Sequence, residues 1–323
     1  MIDDIDIKIL KSIESKVISG QKLASDLSIT RTAVWKRINK LRKLGYKILS
    51  TPKGYTLVDS TQFLIKEEIK STLKTSFIGK DYIHFIEIDS TNRYAKENTF
   101  HEGTVIVAEK QTAGKGRKNR KWVSTGKGIY FSIILEPKLP ITELMRFSLI
   151  FPLSVRKTVE KFTKLNPKIK WPNDIYLNNK KLSGILIESE IEAEKISRLI
   201  VGIGLNVNDT KEDLKDIKDI ATSMYIETGK IFSRKEVFSH LLNVIEDNYI
   251  KYLSDIPFRR KILNYIDNYL LWKGENIVIT DDNQKLEGTL IGINDTGGIL
   301  VKTNSSVISI YSGDVSLRKK DVL

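Results

Sequence analysis

Apolar residues recur along the first stretch of the chain with a helical period. Ile2, Ile5, Ile9 and Ile13, with Leu10 beside them, share one face of a helix. Ser19 stands before a second short helix from Gln21 to Leu27. After the Leu27-Ser28-Ile29 turn, Thr30 is the N-cap of a helix from Arg31 to Leu44. Its inward face is Val34, Ile38, Leu41 and Leu44, and Gly45 ends it. This spacing predicts a helix-turn-helix. Tyr46-Lys-Ile-Leu, Thr51-Pro-Lys-Gly and Tyr55-Thr-Leu-Val predict two strands about a turn, the wing of a winged helix. Asp59-Ser60-Thr61 before Phe63-Leu-Ile-Lys-Glu-Glu-Ile-Lys predicts a capped linker helix, so a first domain is expected over 1–64.

Beyond residue 64 the period changes. Strands are predicted over 83–88, 104–108, 129–135, 169–171, 175–177, 185–188 and 200–207, with helices near 91–97, 142–164 and 233–253. Pro152 is expected to kink or divide the middle helix, and Ser233 with Glu236 reads as a capping box. This describes a mixed sheet with helices against it over 65–271, an α+β arrangement. From Trp272 short strands alternate with Asp-Asp-Asn and Asp-Thr-Gly-Gly turns, which predicts a small β-barrel over 272–323.

Composition narrows the function. A chain of 323 residues is long enough for at least two cores. No stretch approaches the ~20 apolar residues of a membrane-spanning helix. The acidic start, Met-Ile-Asp-Asp-Ile-Asp, is unlike a secretory signal, so a cytoplasmic location is expected. Without cysteine there is no disulfide, thiolate nucleophile or cysteine-held metal. His84, His101 and His240 are too scattered in sequence to suggest a histidine metal centre. The net charge of +13 suits a polyanionic partner or a solvated basic surface, so its placement decides. The predicted third helix carries Arg31, Lys36, Arg37, Lys40, Arg42 and Lys43 and no acid. Such a face, with Thr32 beside it, is expected to meet DNA through Arg31, Thr32, Lys36, Arg37 and Lys40; the bland alternative is a basic solvated helix.

The most unusual segment is Gln111-Thr-Ala-Gly-Lys-Gly-Arg-Lys-Asn-Arg-Lys-Trp122, where glycines and cations follow a predicted strand. Glycine lets backbone amides approach an anion, and cations supply charge, so a phosphate-handling loop is expected. The Walker spacing is absent, and Gly202-Ile-Gly204 lacks the third glycine of a dinucleotide fingerprint. Trp171-Pro-Asn-Asp174 leads into a hairpin with Asn178-Asn179 at its turn, which can bring Asn173, Asp174 and Lys181 together. Asp89-Ser-Thr-Asn92 lies at a strand-to-helix junction, where hydroxyls and free amides can hold a polar group. Each piece alone also has a plain reading as a cap, a tight turn or a surface ammonium.

Taken in order, these segments resemble the bifunctional biotin protein ligase and biotin operon repressor family. The resemblance spans nearly the whole chain: the winged helix, Asp-Ser-Thr-Asn, Gln-x-x-Gly-x-Gly-Arg-x-x-Arg-x-Trp, Lys-Trp-Pro-Asn-Asp, Lys-Leu-Ser-Gly-Ile-Leu-Ile-Glu, Gly-Ile-Gly-Leu-Asn, and the terminal segment Ser312-Gly-Asp-Val-Ser-Leu-Arg318. It implies a winged helix-turn-helix DNA-binding domain over 1–64, a biotin- and ATP-binding catalytic domain over 65–271 and a terminal barrel over 272–323.

The activity it implies has two steps. Biotin and MgATP give biotinyl-5′-AMP and pyrophosphate; a lysine of a biotin carboxyl carrier protein then attacks the acyl-adenylate. Arg117 and Lys181 are the implied catalytic residues. Ser90, Thr91, Asn92, Gln111, Gly114, Lys115, Gly116, Arg117, Lys181, Gly184 and Gly204 are implied for biotin. Arg117, Arg120, Trp122, Asn173 and Asn206 are implied for the nucleotide, and Asp174 for Mg²⁺ or for orienting a lysine. The adenylate is implied as corepressor, favouring a homodimer on operator DNA, with no membrane partner. The family motif reads Gly-Arg-Gly-Arg, and here Lys115 replaces its first arginine, keeping charge but losing the planar fork. Retained activity with faster escape of the adenylate is expected, from a loop that orders around its ligand. Two other readings remain: a non-catalytic regulator sensing a small acid, and a lipoate or octanoate ligase on the same scaffold.

Overall fold

The computed structural model describes residues 2–14, 16–59, 62–281, 284–311 and 316–319. The chain divides into two compact units, Met1–Ser71 and Thr72–Leu323.

In the first unit, α1 (Asp4–Ile13), α2 (Gly20–Asp26) and α3 (Arg31–Lys43) precede β1 (Lys47–Thr51), β2 (Gly54–Asp59) and α4 (Lys66–Ile69). Each long helix starts on a side chain that satisfies a free amide. Asp3 accepts from Ile5 and Asp6 amides, and its own amide donates to Asp6 in return; Ser19 and Thr30 cap α2 and α3. Ile9, Ile13, Leu23, Val34, Ile38 and Leu41 close the core. The wing turn needs glycine at 54: φ is +138°, and a Cβ there would meet the Ile18 carbonyl oxygen at 2.1 Å. The linker helix departs from expectation. It begins only at Lys66, after Ile65, with no side-chain cap, while Ser60 and Thr61 lie outside the described residues.

In the second unit, β3 (Tyr82–Ile88), α5 (Thr91–Glu97), β4 (Val105–Gln111) and β5 (Ile129–Leu135) lead to α6 (Leu144–Ser148) and α7 (Ile150–Thr163). Next come β6 (Lys168–Lys170), β7 (Asp174–Leu177), β8 (Lys180–Glu192) and β9 (Lys195–Leu205), then α8 (Met224–Thr228), α9 (Arg234–Ser254) and α10 (Ile256–Tyr269). Among the described residues the sheet runs β3-β4-β5-β9-β8-β7-β6, parallel only between β3 and β4. Every residue of β5 is buried because helices cover both faces. Ile134 packs with Ala95 of α5, and Phe131 meets Phe238 of α9 edge-on at 5.0 Å.

The middle helix does divide, but at Leu149 rather than at Pro152. Pro152 sits in the first turn of α7, where an amide has no helical partner, so proline is tolerated there. The terminal strands β10 (Asn276–Asp281), β11 (Gln284–Ile293), β12 (Ile299–Lys302), β13 (Val307–Ile310) and β14 (Ser316–Lys319) form an antiparallel sheet in the order β13-β12-β11-β10-β14. The expected barrel is therefore not closed: β13 and β14 are edges, and no pairing joins them among the described residues. Of the terminal motif, residues 312–315 lie outside the described residues.

Candidate active site

A cavity of about 290 Å³ opens on the α5 side of the large sheet. Its floor is a patch of backbone. Gly184 pairs with Gly204 across β8 and β9, and Gly202 lies two pairs further along, on the same face. A Cβ on Gly204 would stand 2.4 Å from the Trp122 ring, and one on Gly202 would stand 2.1 Å from Asn92 Oδ1. Glycine thus lets an indole and an amide lie flat on the sheet.

One wall is the start of α5. Ser90 caps the helix, and the Thr91 amide donates to Gln111 Oε1 at 2.8 Å. Ser132 of β5 donates to Asn92 Oδ1 at 2.6 Å, and its hydroxyl oxygen lies 2.8 Å from Thr91 Oγ1. Asn92 Nδ2 in turn donates to Glu188 at 3.0 Å. The wall is polar, its Ser90, Thr91, Asn92 and Ser132 are buried, and its groups hold one another in place.

The opposite wall is the loop of 112–124. The Gly116 amide donates to the Arg120 carbonyl at 2.7 Å and the Trp122 amide to the Gly114 carbonyl at 2.8 Å, which folds the loop onto itself. Arg117 Nη1 donates to Asn173 Oδ1 at 3.1 Å, while Asn173 Nδ2 donates to the Ile185 carbonyl. The Trp122 Nε1–H is buried with no acceptor among the described residues. The loop exit is tied down as well. Thr125 donates its hydroxyl to Asp209, whose carboxyl burial pushes above the usual range, and its amide donates to the Tyr130 hydroxyl at 3.1 Å.

The third wall is the hairpin of β7 and β8, turned by Asn178 and Asn179 at φ +49° and +61°. It brings Lys181 Nζ to 2.8 Å from Asp174 Oδ2 and 5.7 Å from the centre of the Trp122 ring. The Lys181 backbone is clamped by the Ile220 carbonyl and the Thr222 amide, and Asn206 donates to the Thr222 carbonyl at 2.9 Å.

The structure gathers nearly all the residues expected at the site around this one cavity. Ser90, Thr91, Asn92 and Gln111 line it, as do Lys115, Gly116, Arg117, Arg120 and Trp122. Asn173, Asp174, Lys181, Gly184, Gly204 and Asn206 complete the set. Gly114 sits beside the others in the loop. It is not among the lining residues, and a Cβ there would meet the Trp122 carbonyl at 2.9 Å, so its place is in the folding of the loop. Sequence reasoning missed the segment carrying Ile217, Ile220 and Ala221, which also lines the cavity and carries no motif. It also missed Trp171 Nε1 donating to the Gly297 carbonyl of the terminal sheet at 2.8 Å.

A protein-held Mg²⁺ does not fit these residues. Asp174 is the one carboxylate among the described lining residues, and Lys181 already pairs with it. Among the described residues no group of three or more His, Asp or Glu side chains could hold a metal.

In the first unit, Arg31, Thr32 and Lys36 are exposed on α3. Arg37 and Lys40, also expected to meet DNA, are ion-paired and partly exposed. Arg37 Nη1 lies 2.7 Å from Asp3 and 2.8 Å from Asp6, and Lys40 Nζ lies 2.6 Å from Asp6. Asp6 is fully buried, so it draws both cations toward α1. Arg37 in turn holds the Asp3 carboxyl down at about 2.

The sequence matches the biotin/lipoate A/B protein ligase family over residues 84–206, an HTH domain over 6–56 and the biotin protein ligase C-terminal domain over 274–318. It is 38% identical to the bifunctional ligase/repressor BirA of Bacillus subtilis (strain 168), over 96% of this chain and 97% of that protein. The chain belongs to the BirA-type biotin ligase/repressor family. A second BirA-type relative, from Escherichia coli (strain K12), is 26% identical over 94% of each chain. Among solved structures, the biotin protein ligase from Aquifex aeolicus in complex with biotin and ATP aligns with a TM-score of 0.66 and 38% identity. It covers 75% of this chain and all of that one.

Proposed function

We propose that this BirA-type chain condenses biotin with ATP to biotinyl-5′-AMP, transfers biotin to a lysine of a biotin carboxyl carrier protein, and represses transcription when the adenylate is bound. One observation carries the reading: a fixed polar wall from α5 and two cations, Arg117 and Lys181, face one another across a glycine floor.

In the first step a biotin carboxylate oxygen forms a bond to the α-phosphorus and pyrophosphate leaves. Two anions must meet, so fixed cations lower the barrier. Ser90, Thr91, Asn92 and Gln111 are assigned the polar end of biotin, and Gly184 and Gly204 its flank. Lys115, Gly116 and Arg117 bridge biotin and phosphate; Arg120, Trp122, Asn173 and Asn206 take the nucleotide. Lys181 holds the carboxylate, with Asp174 as its positioning partner. In the second step the acceptor amine attacks the acyl carbon and AMP leaves.

Residues 1–64, 65–271 and 272–323 are the proposed functional parts, serving DNA binding, ligation and an accessory role in the cytoplasm. In the repressor form two adenylate-bound copies pair, and exposed Arg31, Thr32 and Lys36 face operator DNA. Pyrophosphate release with biotin or lipoate, with and without carrier protein, tests the enzyme. Biotin-dependent release is expected, and protease cleavage within 112–124 is expected to slow with biotin and ATP. Preference for lipoate would favour the lipoate ligase, and no release with either acid would leave a sensor alone.

A further inference from the structure

Arg37 and Lys40 are paired with Asp3 and buried Asp6 on one flank of α3, and an indole sits on a different face. Trp35 is 55% exposed, although a buried core lies on the other side of the same helix. At about 100° per residue, Arg31, Trp35, Asn39, Thr32, Lys43 and Lys36 fall across an arc of about 140°. Val34, Ile38 and Leu41 fall outside that arc and are fully buried. Arg37 and Lys40 lie on the flank toward Asp3 and Asp6. An exposed indole ringed by Arg31, Lys36 and Lys43, with no acid on the helix, complements a polyanion that carries apolar groups. The major groove of DNA is such a surface: phosphates at its rims, and thymine methyl groups on its floor.

We propose that Trp35 reads sequence by packing its indole on a thymine C5-methyl in the major groove, while Arg31, Thr32 and Lys36 hold the flanking phosphates. This rests on the DNA-binding reading above. Phosphate contacts position a protein without naming a sequence, so a base-reading group is needed on this arc. The indole has the size and apolar surface for that contact.

Duplexes selected from a random pool by the full-length protein with biotin and ATP supply the probe. Replacing thymine with uracil at one or two positions is expected to weaken wild-type binding about three- to tenfold. Trp35→Ala should lose a similar factor on the thymine duplex and show no further loss with uracil; Trp35→Phe should retain most of the affinity. Affinity of Trp35→Ala for unrelated DNA should stay as in wild type, whereas Lys36→Ala should reduce the salt slope by about one. Thermal melts superimposing for wild type and both Trp35 variants establish that the fold is intact. Unchanged binding of the selected duplex by Trp35→Ala, or uracil sensitivity that persists in it, overturns the proposal with DNA binding intact. If the wild-type protein selects no sequence, the DNA-binding reading fails and this proposal with it.

Discussion

The cation-rich helix α3 and the cation-rich loop of 112–124 have similar composition and opposite electrostatic situations. On α3, Arg37 and Lys40 are neutralised by Asp3 and buried Asp6, and Arg42 donates to the Ile48 carbonyl and Ser50. The helix is thereby locked onto its own core, and its outer arc is a fixed surface. In the loop, Lys115, Arg120 and Lys121 stand exposed, and Arg117 donates to the Asn173 side-chain oxygen. The described cavity lining holds only one carboxylate, already paired with Lys181. Where carboxylates match the cations in number the charge makes scaffold; where cations outnumber them, as around this cavity, the excess makes a site for an anion that comes from elsewhere.

The largest expected effect tests the second half of that contrast. Lys181→Ala should lower biotin-dependent pyrophosphate release about 10²- to 10³-fold, roughly 3–4 kcal/mol of transition-state stabilisation. Arg117→Ala should cost somewhat less, since Lys181 and the loop amides still face the phosphate. If Lys181→Ala releases pyrophosphate at the wild-type rate, the cations of this cavity are scaffold too, and the contrast disappears.

Asp6→Asn tests the first half. It leaves Arg37 and Lys40 beside a buried neutral amide, and the winged helix should lose about 2–3 kcal/mol in denaturant unfolding. A loss below a few tenths would mean that α3 holds its place through apolar packing alone. Asp3 gives a smaller, pH-dependent companion. Its carboxyl is held at about 2, below the ordinary value near 3.8. Because the folded pKa is depressed, the stabilisation is present above about pH 4 and fades as pH falls toward 2. Melting of Asp3→Asn should accordingly lack that part of the acid dependence which wild type shows between those values.

This contrast was half legible in the sequence. The winged helix follows from spacing, since each cap and each inward residue of α1 to α3 is local information. The pairing of Arg37 and Lys40 with Asp3 and Asp6 spans more than 30 residues, and a helical wheel of α3 cannot show it. The cavity motifs were legible as chemistry, but the motif-free segment around Ile220 was not, because it contributes backbone and apolar surface. α10 went unpredicted although Asp255 caps it and Pro257 sits in its first turn, a start signal hidden by the nearby end of α9. The long β8–β9 hairpin outran its expected strands because its outer half is polar and exposed, with little apolar alternation to mark it.

Lys115→Arg should have the smallest effect and sharpens the contrast most finely. Lys115 is exposed at the start of the folded loop, and its backbone pairs with Lys121 across the turn. An ammonium at this place attracts phosphate from many directions, whereas a guanidinium offers two aligned donors to one oxyanion. Net charge is the same in both proteins, so long-range attraction of ATP and the rate of adenylate formation should hardly change. Only the bound state differs, and the difference belongs in the off-rate. Stopped-flow release of preformed biotinyl-5′-AMP should slow about two- to fivefold in Lys115→Arg, below roughly 1 kcal/mol. Equal release from the two proteins would mean that this position contributes charge alone, and that the hold on the adenylate lies with Arg117, Trp122 and Lys181.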